Sequence, residues 1–546
     1  MRVCVAKTFA QFFLACFVFL LAPRLLAQVS NQMSVAEVEQ VIAQASTRAM
    51  QINSNSVIAV VDREGFVLGV WAINTNAATN SLEFLLDVED AITKAGTASF
   101  LSSDQHAFTS RTAGFIVQQN FPPRVKNKPT GPLVGVNFSN LSFSDVNRFK
   151  NPATYSTNVY GGGGTNGGVI GLVAALSGLA GSPGGVPLFR QGKLIGGVGV
   201  AGHSRKVKTG LPALDDIQTQ AGQVRDVDED IALAGQKGFA PASKVFGSRV
   251  FIDGIRIPYV NSGTRLRTNA PFGAIGKAVA DYAVTNSPTV VYNKIVLNGI
   301  TNELRAPIID DPVLGLINGQ PRLTAAEVTN ILTLAVERAN ITRAGIRLPR
   351  GQKAQVFIAV VNNPDADGVA PEILGTIRTP GATIFSWDVA VQKARTAVYF
   401  SDPNRNLLLP SAAMSTRTVG FLAQSHYPPG IVKNPPGPFL GLQEMFSQFA
   451  PIPLTNILNG VVATNLPPID PNLPNGMTIF AGGFPLYRNG VLIGAIGVSG
   501  DGIDQDDIIA ASGTVNFLPP QNIRADEYRF RGARLPYAKF PRNPSL

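Results

Sequence analysis

The sequence predicts an α/β protein of the α+β type, built as a tandem duplication of one small domain. The first observation is that residues 184–204 and 482–502 match at 12 of 21 positions without a gap. The second is that the elements around this segment recur in the same order in both halves of the chain. Repetition at a fixed order indicates duplicated structural units.

Each copy of the matching segment predicts a β-hairpin. Its turn is Gln191-Gly192 in the first half and Asn489-Gly490 in the second, and Asn-Gly is a strong hairpin signal. On the return strand one face begins with an isoleucine and continues with small residues, namely Ile195, Gly197, Gly199 and Ala201, then Ile493, Ala495, Gly497 and Ser499. Glycine weakens a strand interior, so a close approach to the backbone is expected there, by a helix, another chain or a flat ligand.

Residues 1–27 predict a signal peptide. Arg2 and Lys7 precede an apolar run over 9–22, and a cleavage site is expected before Gln28. The alternative is an uncleaved membrane anchor, although the apolar run is short for a span. We therefore expect export to a bacterial periplasm or to the exterior, with no membrane span after the signal is removed.

Composition limits the class of protein. With 546 residues, 45% hydrophobic and 15% charged, the chain fits globular domains with apolar cores. Both cysteines, Cys4 and Cys16, lie in the signal, so disulfides and thiolate sites are excluded from the mature chain. The net charge of +10 falls to +7 without the signal, and the basic residues are scattered. Nucleic-acid binding is not expected, because it requires a continuous basic patch.

The remaining repeated elements are helices and strands with recognisable patterns. Amphipathic helices are predicted near residues 36 and 326, with apolar residues three and four positions apart. Buried strands are predicted at 58–61 and 358–361, both reading Ile-Ala-Val-Val. Further matches follow in the same order, namely Lys94–Ala98 with Lys393–Ala397, Arg111-Thr112 with Arg417-Thr418, and Pro122-Pro123 with Pro428-Pro429.

The match continues after the hairpin, through an acidic helix, to tails that end in Pro258-Tyr259 and Pro536-Tyr537. A duplicated tail predicts that each tyrosine docks onto its own domain. The sequence therefore divides into a first domain over 28–262, a linker over 263–322 and a second domain over 323–546. Within the linker a helix is predicted at 276–284.

This order of motifs resembles the GlcG/HbpS-like family of heme-binding proteins. The resemblance rests on the I-A-V-V strand, the K-A-x-T-A helix and the hairpin G-G-x-P-L-x-x-x-G-x-L-I-G-x-x-G-V-x-G, in both halves. It implies a central antiparallel sheet flanked by helices, assembly into oligomers, heme as a cofactor and, for exported members, a sensor partner. Within one chain, the tandem copies are expected to pair as separate subunits do. Asn362 departs from the family's Asp, which puts a ligand site in the second copy in doubt.

Repeated polar residues are the candidate cofactor-binding residues. Lys94 and Thr97, like Lys393 and Thr396, lie three apart on one helix face. The lysine could pair with a heme propionate or another carboxylate, and the threonine could approach the ligand. The alternative is structural, with a lysine stem on apolar surface and a threonine bonded within the fold.

Two further candidates complete the set. Arg111 and Arg417 are repeated, and a guanidinium can clamp a carboxylate; the alternative is an internal salt bridge to the acidic helix after the hairpin. Heme iron takes His, Cys, Met or Tyr, and His203 is the best-placed histidine, although the alternative is a surface residue. No histidine is repeated, because His106, His203 and His426 have no histidine counterparts.

Catalytic and metal motifs are not found. The segment 273–277 lacks the spacing of a phosphate loop. The sequence around Ser499 does not match a nucleophile elbow, and the first copy has Ala201 at the position of Ser499. We therefore predict an exported, non-catalytic protein that binds or senses heme or a small carboxylate ligand. The alternatives are a structural or assembly module without a ligand and, less favoured, an enzyme acting on a small organic acid.

Overall fold

A computed structural model of the chain describes the following residues: 31–76, 81–117, 121–122, 125, 131–133, 146, 179–203, 225–280, 282–345, 351–406, 408–447 and 470–539. The predicted signal peptide lies outside them. The described residues from Gln32 onward belong to one compact unit. Contacts between the two halves can therefore be described.

The first half begins with a helix and then alternates strands and helices. Its elements are α1 (Val35–Ile52), β1 (Val57–Asp62), β2 (Val67–Ala72), α2 (Leu82–Phe100), α3 (Ser110–Ile116), β3 (Gly185–Arg190), β4 (Lys193–Ala201), α4 (Val227–Gly235), β5 (Phe251–Ile252), β6 (Ile255–Arg256) and β7 (Lys277–Ala278).

The second half starts with a two-stranded ribbon and then repeats that order. Its elements are β8 (Lys294–Leu297), β9 (Ile300–Ala306), α5 (Ala325–Ile341), β10 (Phe357–Asn362), β11 (Ile373–Arg378), α6 (Ser386–Ser401), α7 (Thr416–Leu422), α8 (Leu440–Ser447), β12 (Gly483–Arg488), β13 (Val491–Ser499), α9 (Ile503–Gly513), β14 (Arg529–Phe530) and β15 (Ala533–Arg534).

Both halves build the same antiparallel sheet. The strand orders are β3-β4-β1-β2-β7 and β12-β13-β10-β11-β9-β8. The registers agree as well, since Val57 pairs with Ala201 in the first half as Phe357 pairs with Ser499 in the second. The predicted fold class and hairpins are confirmed, and the structure repeats as the sequence does.

The first helix of each half is set by its N-terminus. Ser34 and Thr324 each form a capping box with the glutamate three residues on, which satisfies backbone N–H groups that the helix leaves unpaired. The apolar faces of α1 and α5 then pack on one face of the sheet. The predicted amphipathic helices are thus present.

The small-residue face of the hairpin lies against a helix of the same half. A Cβ added at Gly199 would lie 2.1 Å from the carbonyl oxygen of Ala91 in α2. One added at Gly497 would lie 1.9 Å from the carbonyl oxygen of Ala390 in α6. Of the three expected occupants, the helix is right, and the flat ligand and the second chain are wrong for this face.

The predicted helix over 276–284 is wrong. Lys277 and Ala278 instead form a short strand on the edge of β2, opposite Ala72 and Trp71. Residues 294–306 likewise form the ribbon β8–β9, which pairs with β11 of the second sheet. The physical reason is that the outer edges of β2 and β11 need hydrogen-bond partners, and this segment supplies them.

The tails dock as the sequence predicts. Tyr259 and Tyr537 are buried, at 4% and 6% exposure. The carbonyl oxygen of Tyr259 accepts a hydrogen bond of 2.5 Å from the hydroxyl of Thr109, and that of Tyr537 accepts one from Ser415. Each tail therefore closes over the N-terminus of its own short helix, α3 or α7.

The two halves share an apolar core. One cluster contains β1 and α2 residues of the first half together with β10 and α6 residues of the second. It includes Ala91 and Ala95 on α2 and Ala390 and Ala394 on α6. The opposite faces of the two sheets pack separately on α1 with α4 and on α5 with α9.

A buried ionic network crosses the same boundary. Arg305 of β9 binds Glu64 of the first half through two hydrogen bonds, at 2.8 and 3.1 Å, and also binds Glu303. Arg378 donates to Glu303 at 3.1 Å. The guanidinium of Arg305 lies 3.5 Å from the centroid of the Tyr292 ring. Arg305 is 2% exposed, so its charge depends on these carboxylates for compensation.

The network predicts acid sensitivity. Burial alone would raise the pKa of Glu303, but the charges of Arg378 and Arg305 outweigh it and lower the pKa to about 2; the pKa of Glu64 is lowered in the same way. An unfolded glutamate titrates near about 4.3. The stabilisation is therefore complete above that pH and is lost as the pH falls through the folded pKa.

We expect the free energy of unfolding, measured with urea, to fall steadily from about pH 4.5 to about pH 2. The Glu303→Gln variant should show a weaker pH dependence in this window. The Glu83→Gln variant, which changes an exposed glutamate on α2, is the control and should follow the parent chain. If the free energy of unfolding fell equally steeply with pH in all three proteins, Glu303 would not be the source of the acid sensitivity.

Candidate functional site

The repeated lysines lie inside each domain and not on its surface. The ammonium of Lys94 is fully buried and lies 2.8 Å from Asp90 and 3.3 Å from Asp228. Lys393 lies 2.9 Å from Asp506. Burial alone would lower the pKa of Lys94, but the charges of Asp90 and Asp228 outweigh it and raise the pKa. Both lysines are thus cations of an internal ion pair that joins α2 to α4 and α6 to α9.

The double glycine of the hairpin makes room for this lysine. Gly184 and Gly482 both have φ of +117 to +120°, a conformation that favours glycine. A Cβ at Gly184 would lie 3.2 Å from Cδ of Lys94, and one at Gly482 would lie 3.0 Å from Nζ of Lys393. The repeated Gly-Gly and Lys are therefore parts of one packing arrangement.

The repeated threonines hold the chain that leads into the hairpin. The hydroxyl of Thr97 donates to the carbonyl of Thr93 and accepts from the N–H of Ala180 at 2.7 Å. Thr396 repeats this with Gln392 and with Thr478, at 3.1 Å. Both hydroxyl groups are therefore engaged within the fold.

The repeated arginines bind the acidic helix, which is the internal salt bridge that the sequence left open. Arg111 is 1% exposed and donates to both carboxylate oxygens of Glu229, at 2.7 and 3.0 Å. Arg417 donates to Asp507 at 2.8 Å and to Asp504 at 2.6 Å. The two differ in exposure, because the side chain of Arg417 is 21% exposed. Arg417 therefore keeps an accessible surface that Arg111 lacks.

The three histidines lie in different environments and do not form a common site. His203 is exposed and makes no hydrogen bond to any residue in the described part of the chain. His106 is a core residue, with its ring nitrogens 2.9 Å from Ser103 and from the carbonyl of Leu101. Nδ1 of His426 lies 3.1 Å from the carbonyl oxygen of Asn434. Arg205 and Lys206, which follow His203 closely in the sequence, lie outside the described residues.

The described residues contain no group of three or more His, Cys, Asp or Glu side chains placed to hold a metal ion. In the same ranges, no helix combines the length and the apolar character that a bilayer crossing requires.

The second half has a cavity of about 800 Å³ beside Arg417. Its walls come from α7, from the segment before β12, from the start of α9 and from the tail. The apolar part includes Phe421, Ile479, Phe480 and Leu535. Cavities of about 300–1,000 Å³ with apolar walls and few polar groups are typical of organic-ligand sites. It is therefore the candidate ligand site.

Three arginines line this cavity, and each has a guanidinium nitrogen that makes no hydrogen bond to the described residues. Arg524 uses Nε and one Nη on Asp526, at 2.9 and 2.7 Å. Arg534 donates from Nε to the carbonyl of Asp526 at 2.6 Å, and Arg417 uses Nε and Nη2 on α9. Among the described residues, Nη1 of none of the three has a hydrogen-bond partner. The cavity therefore offers donors to an anion.

Sequence comparison of the halves contains a signal for this site. Arg524 forms a bridge to Ala413 as Phe246 does to Ala107, so positions 524 and 246 correspond. Likewise Ser248 corresponds to Asp526. The second half therefore has an arginine and an aspartate where the first half has Phe246 and Ser248. Candidates chosen because both halves share them do not include this pair.

A smaller cavity of about 60 Å³ lies between the halves. It is lined by Phe108 and Ile252 of the first half and by Phe385 and Lys393 of the second. Phe480 and Ile503 belong to its wall and also to that of the larger cavity. Its volume suits a few water molecules rather than an organic ligand.

Heme, which the resemblance implies, fits the larger cavity in part. Its volume and aromatic walls suit a porphyrin plane, and its arginines suit propionates. Tyr537 is the one lining side chain of an iron-binding type. Its hydroxyl is buried without a hydrogen bond to the described residues, and burial raises its pKa well above 10. It therefore stays protonated at neutral pH when no metal ion is bound.

Part of the chain matches the model of a known family. Residues 323–514 match the family model described as "Haem degrading protein HbpS-like". No curated protein matches the chain. Similar solved structures include a PduOC–heme complex, at 21% identity over 37% of this chain and 100% of that one, with a TM-score of 0.23.

Two further structures are similar to a comparable extent. The protein ORFY of Klebsiella pneumoniae is 17% identical over 39% of this chain and 93% of that one, with a TM-score of 0.21. A double mutant of HbpS from Streptomyces reticuli is 19% identical over 38% and 96%, with a TM-score of 0.20. The match to the family model is limited to residues 323–514.

Proposed function

We propose that this chain is an exported protein that binds heme, or a ligand of similar shape and charge, without catalysis; the match of residues 323–514 to the HbpS-like family model supports this. The site is the cavity of about 800 Å³ in the second half. Phe421 and Phe480 would contact the ring, and the arginines would contact its carboxylates. When bound, heme would supply its own redox chemistry, and the residues of the chain would bind and orient it.

One observation carries this proposal: the family match and the arginine-lined cavity of about 800 Å³ fall in the same half of the chain. Of the seven residues singled out from the sequence, Arg417 lines that cavity. Lys94, Thr97, Lys393 and Thr396 would act indirectly, by fixing the helices and the hairpin that support it. His203 and Arg111 stay outside this site in the proposal.

Absorption spectroscopy tests the proposal. Hemin titrated into the purified mature chain should give a shifted Soret band that saturates. Hemin that keeps its free spectrum at every protein concentration would exclude heme and leave the structural or assembly module as the better interpretation.

A matched pair of variants locates the site. Phe421 and Phe115 occupy the same position on α7 and α3, and both are half-buried against a second aromatic ring. We expect Phe421→Ser to weaken hemin binding about tenfold or more, because stacking on an aromatic side chain is lost. Phe115→Ser should leave the affinity unchanged. Equal effects of both variants would move the site out of the cavity.

The family description also suggests heme degradation as a second candidate. The same complex should be followed over time after addition of ascorbate in air. A Soret band that persists supports binding without turnover. Loss of the band, with release of iron faster than from free hemin, would support an enzyme and overturn the non-catalytic part of the proposal.

Export and partners belong to the proposal as well. The basic and apolar pattern of residues 1–27 supports a cleaved signal. The proposal places the mature chain in the periplasm or outside the cell, where a homo-oligomer or a sensor protein could be its partner. N-terminal sequencing of the exported protein should begin at Gln28, and an intact N-terminus would favour the membrane anchor.

A further inference from the structure

We propose that the ligand of the larger cavity is an organic dianion, and that Arg524 is a specificity-determining residue that gives the second half this selectivity. The inference rests on the proposed function for the location of the site. It adds the residue that makes the site prefer a dianion to a neutral ligand of the same shape, and the reason why the first half lacks this preference.

The basic groups of the cavity form two separate sets. Arg524 and Arg534 meet at Asp526, which both of them contact. Arg417 is held on α9 by Asp504 and Asp507. Each set leaves Nη1 donors without a partner among the described residues. A ligand with two carboxylates can occupy both sets at once, whereas a neutral ligand leaves them unused.

The carboxylate of Asp526 prepares Arg524 for this contact. The hydrogen bond from Arg524 holds the pKa of Asp526 below its usual value, so the aspartate stays ionised at neutral pH. Its two oxygens fix the guanidinium through Nε and one Nη. The side chain of Arg524 remains 29% exposed. A planar guanidinium held in this way loses little freedom when it binds a carboxylate.

The corresponding place in the first half is closed to an anion. Phe246 stacks on Tyr259, with ring centroids 4.2 Å apart and an angle of 11° between the planes. In the second half the guanidinium of Arg524 instead lies 5.5 Å from the centroid of the Tyr537 ring. The first-half counterpart of Arg417, Arg111, is 1% exposed. The same scaffold thus carries an aromatic stack in one copy and an exposed cation in the other.

Two probes with the same iron porphyrin test the inference: hemin, which has two carboxylates, and hemin dimethyl ester, in which both are neutral methyl esters, titrated in the same dilute detergent. We expect the parent chain to bind hemin about tenfold to a hundredfold more tightly than the diester, as charged hydrogen bonds are lost in the ester. The Arg524→Phe variant, which installs the first-half residue, should lose most of this preference. Arg531→Gln, an exposed arginine outside the cavity lining, is the control and should keep it.

The outcomes separate the inference from the proposed function. Equal affinity of the parent chain for both probes, or an unchanged preference in Arg524→Phe, would overturn the inference and leave heme binding standing. No binding of either probe would overturn the proposed function and the inference with it. If Arg524→Phe does not fold, as judged by circular dichroism, Arg524→Gln replaces it. The side chain of Arg524 is 29% exposed, so glutamine removes the charge without placing an aromatic ring there, and an unchanged preference in that variant would equally overturn the inference.

Discussion

Replacing Gly497 by alanine is expected to lower the free energy of unfolding by about 3 kcal/mol or more. The new methyl group would lie 1.9 Å from the carbonyl oxygen of Ala390 and 2.7 Å from the backbone nitrogen of Ala394. Neither atom can move away alone, because both belong to the backbone of α6. The helix would have to shift away from β13, and contacts of the core shared by the two halves would be lost with it.

Gly441 provides the matched control for this variant. It lies in α8, has no positive φ, and a Cβ added there meets no atom within 4 Å. Gly441→Ala should therefore be neutral or stabilise by about 0.5–1 kcal/mol, as alanine is favoured over glycine in helices. Urea unfolding of the two variants gives the comparison. Equal stability of both would contradict the close packing of helix on strand.

Replacing Lys94 by methionine should destabilise the chain by about 3–5 kcal/mol, because it leaves buried carboxylates without their cation. Asp90 and Asp228 both depend on this ammonium, and their side chains are 1% and 0% exposed. The methionine preserves most of the volume of the lysine stem, so the loss reports the charge rather than a cavity. Urea unfolding at pH 7 measures it.

Lys193 is the control for this effect. It lies 3.0 Å from Asp104, and its side chain is 49% exposed. Exposed ion pairs contribute about 0–1 kcal/mol, so Lys193→Met should change stability little. A loss at Lys94 no greater than that at Lys193 would contradict an internal structural role and would return Lys94 to the candidate ligand contacts.

Much of the fold could be predicted from the sequence because the duplication repeats its strongest local signals. Turn glycines, the Ile-Ala-Val-Val strands and the amphipathic helices act locally, and each copy supports the other. The strands of residues 294–306 could not be predicted, since they depend on pairing with β11, a partner distant in the sequence. The helix expected at 276–284 failed for the same reason, since the edge of β2 overrides local preference.

The candidate site was harder to predict, because repetition reports what both copies need in order to fold. Lys94 and Lys393 are repeated since each neutralises a buried aspartate, and Thr97 and Thr396 are repeated since each holds the chain before the hairpin. A site present in one copy appears as a difference. Arg524 in place of Phe246 is such a difference. The sequence alone does not link it to ligand binding, because only the structure shows that Arg524 lines a cavity.

Counting the hemin molecules bound per chain tests most directly whether the second half alone carries the ligand site. The number follows from the saturation point of an absorption titration at a chain concentration well above the dissociation constant. We predict one hemin per chain, bound about tenfold or more weakly in Phe421→Ser and with unchanged affinity in Phe115→Ser. Two hemins per chain, or one that is weakened by Phe115→Ser and not by Phe421→Ser, would contradict the location of the site in the second half.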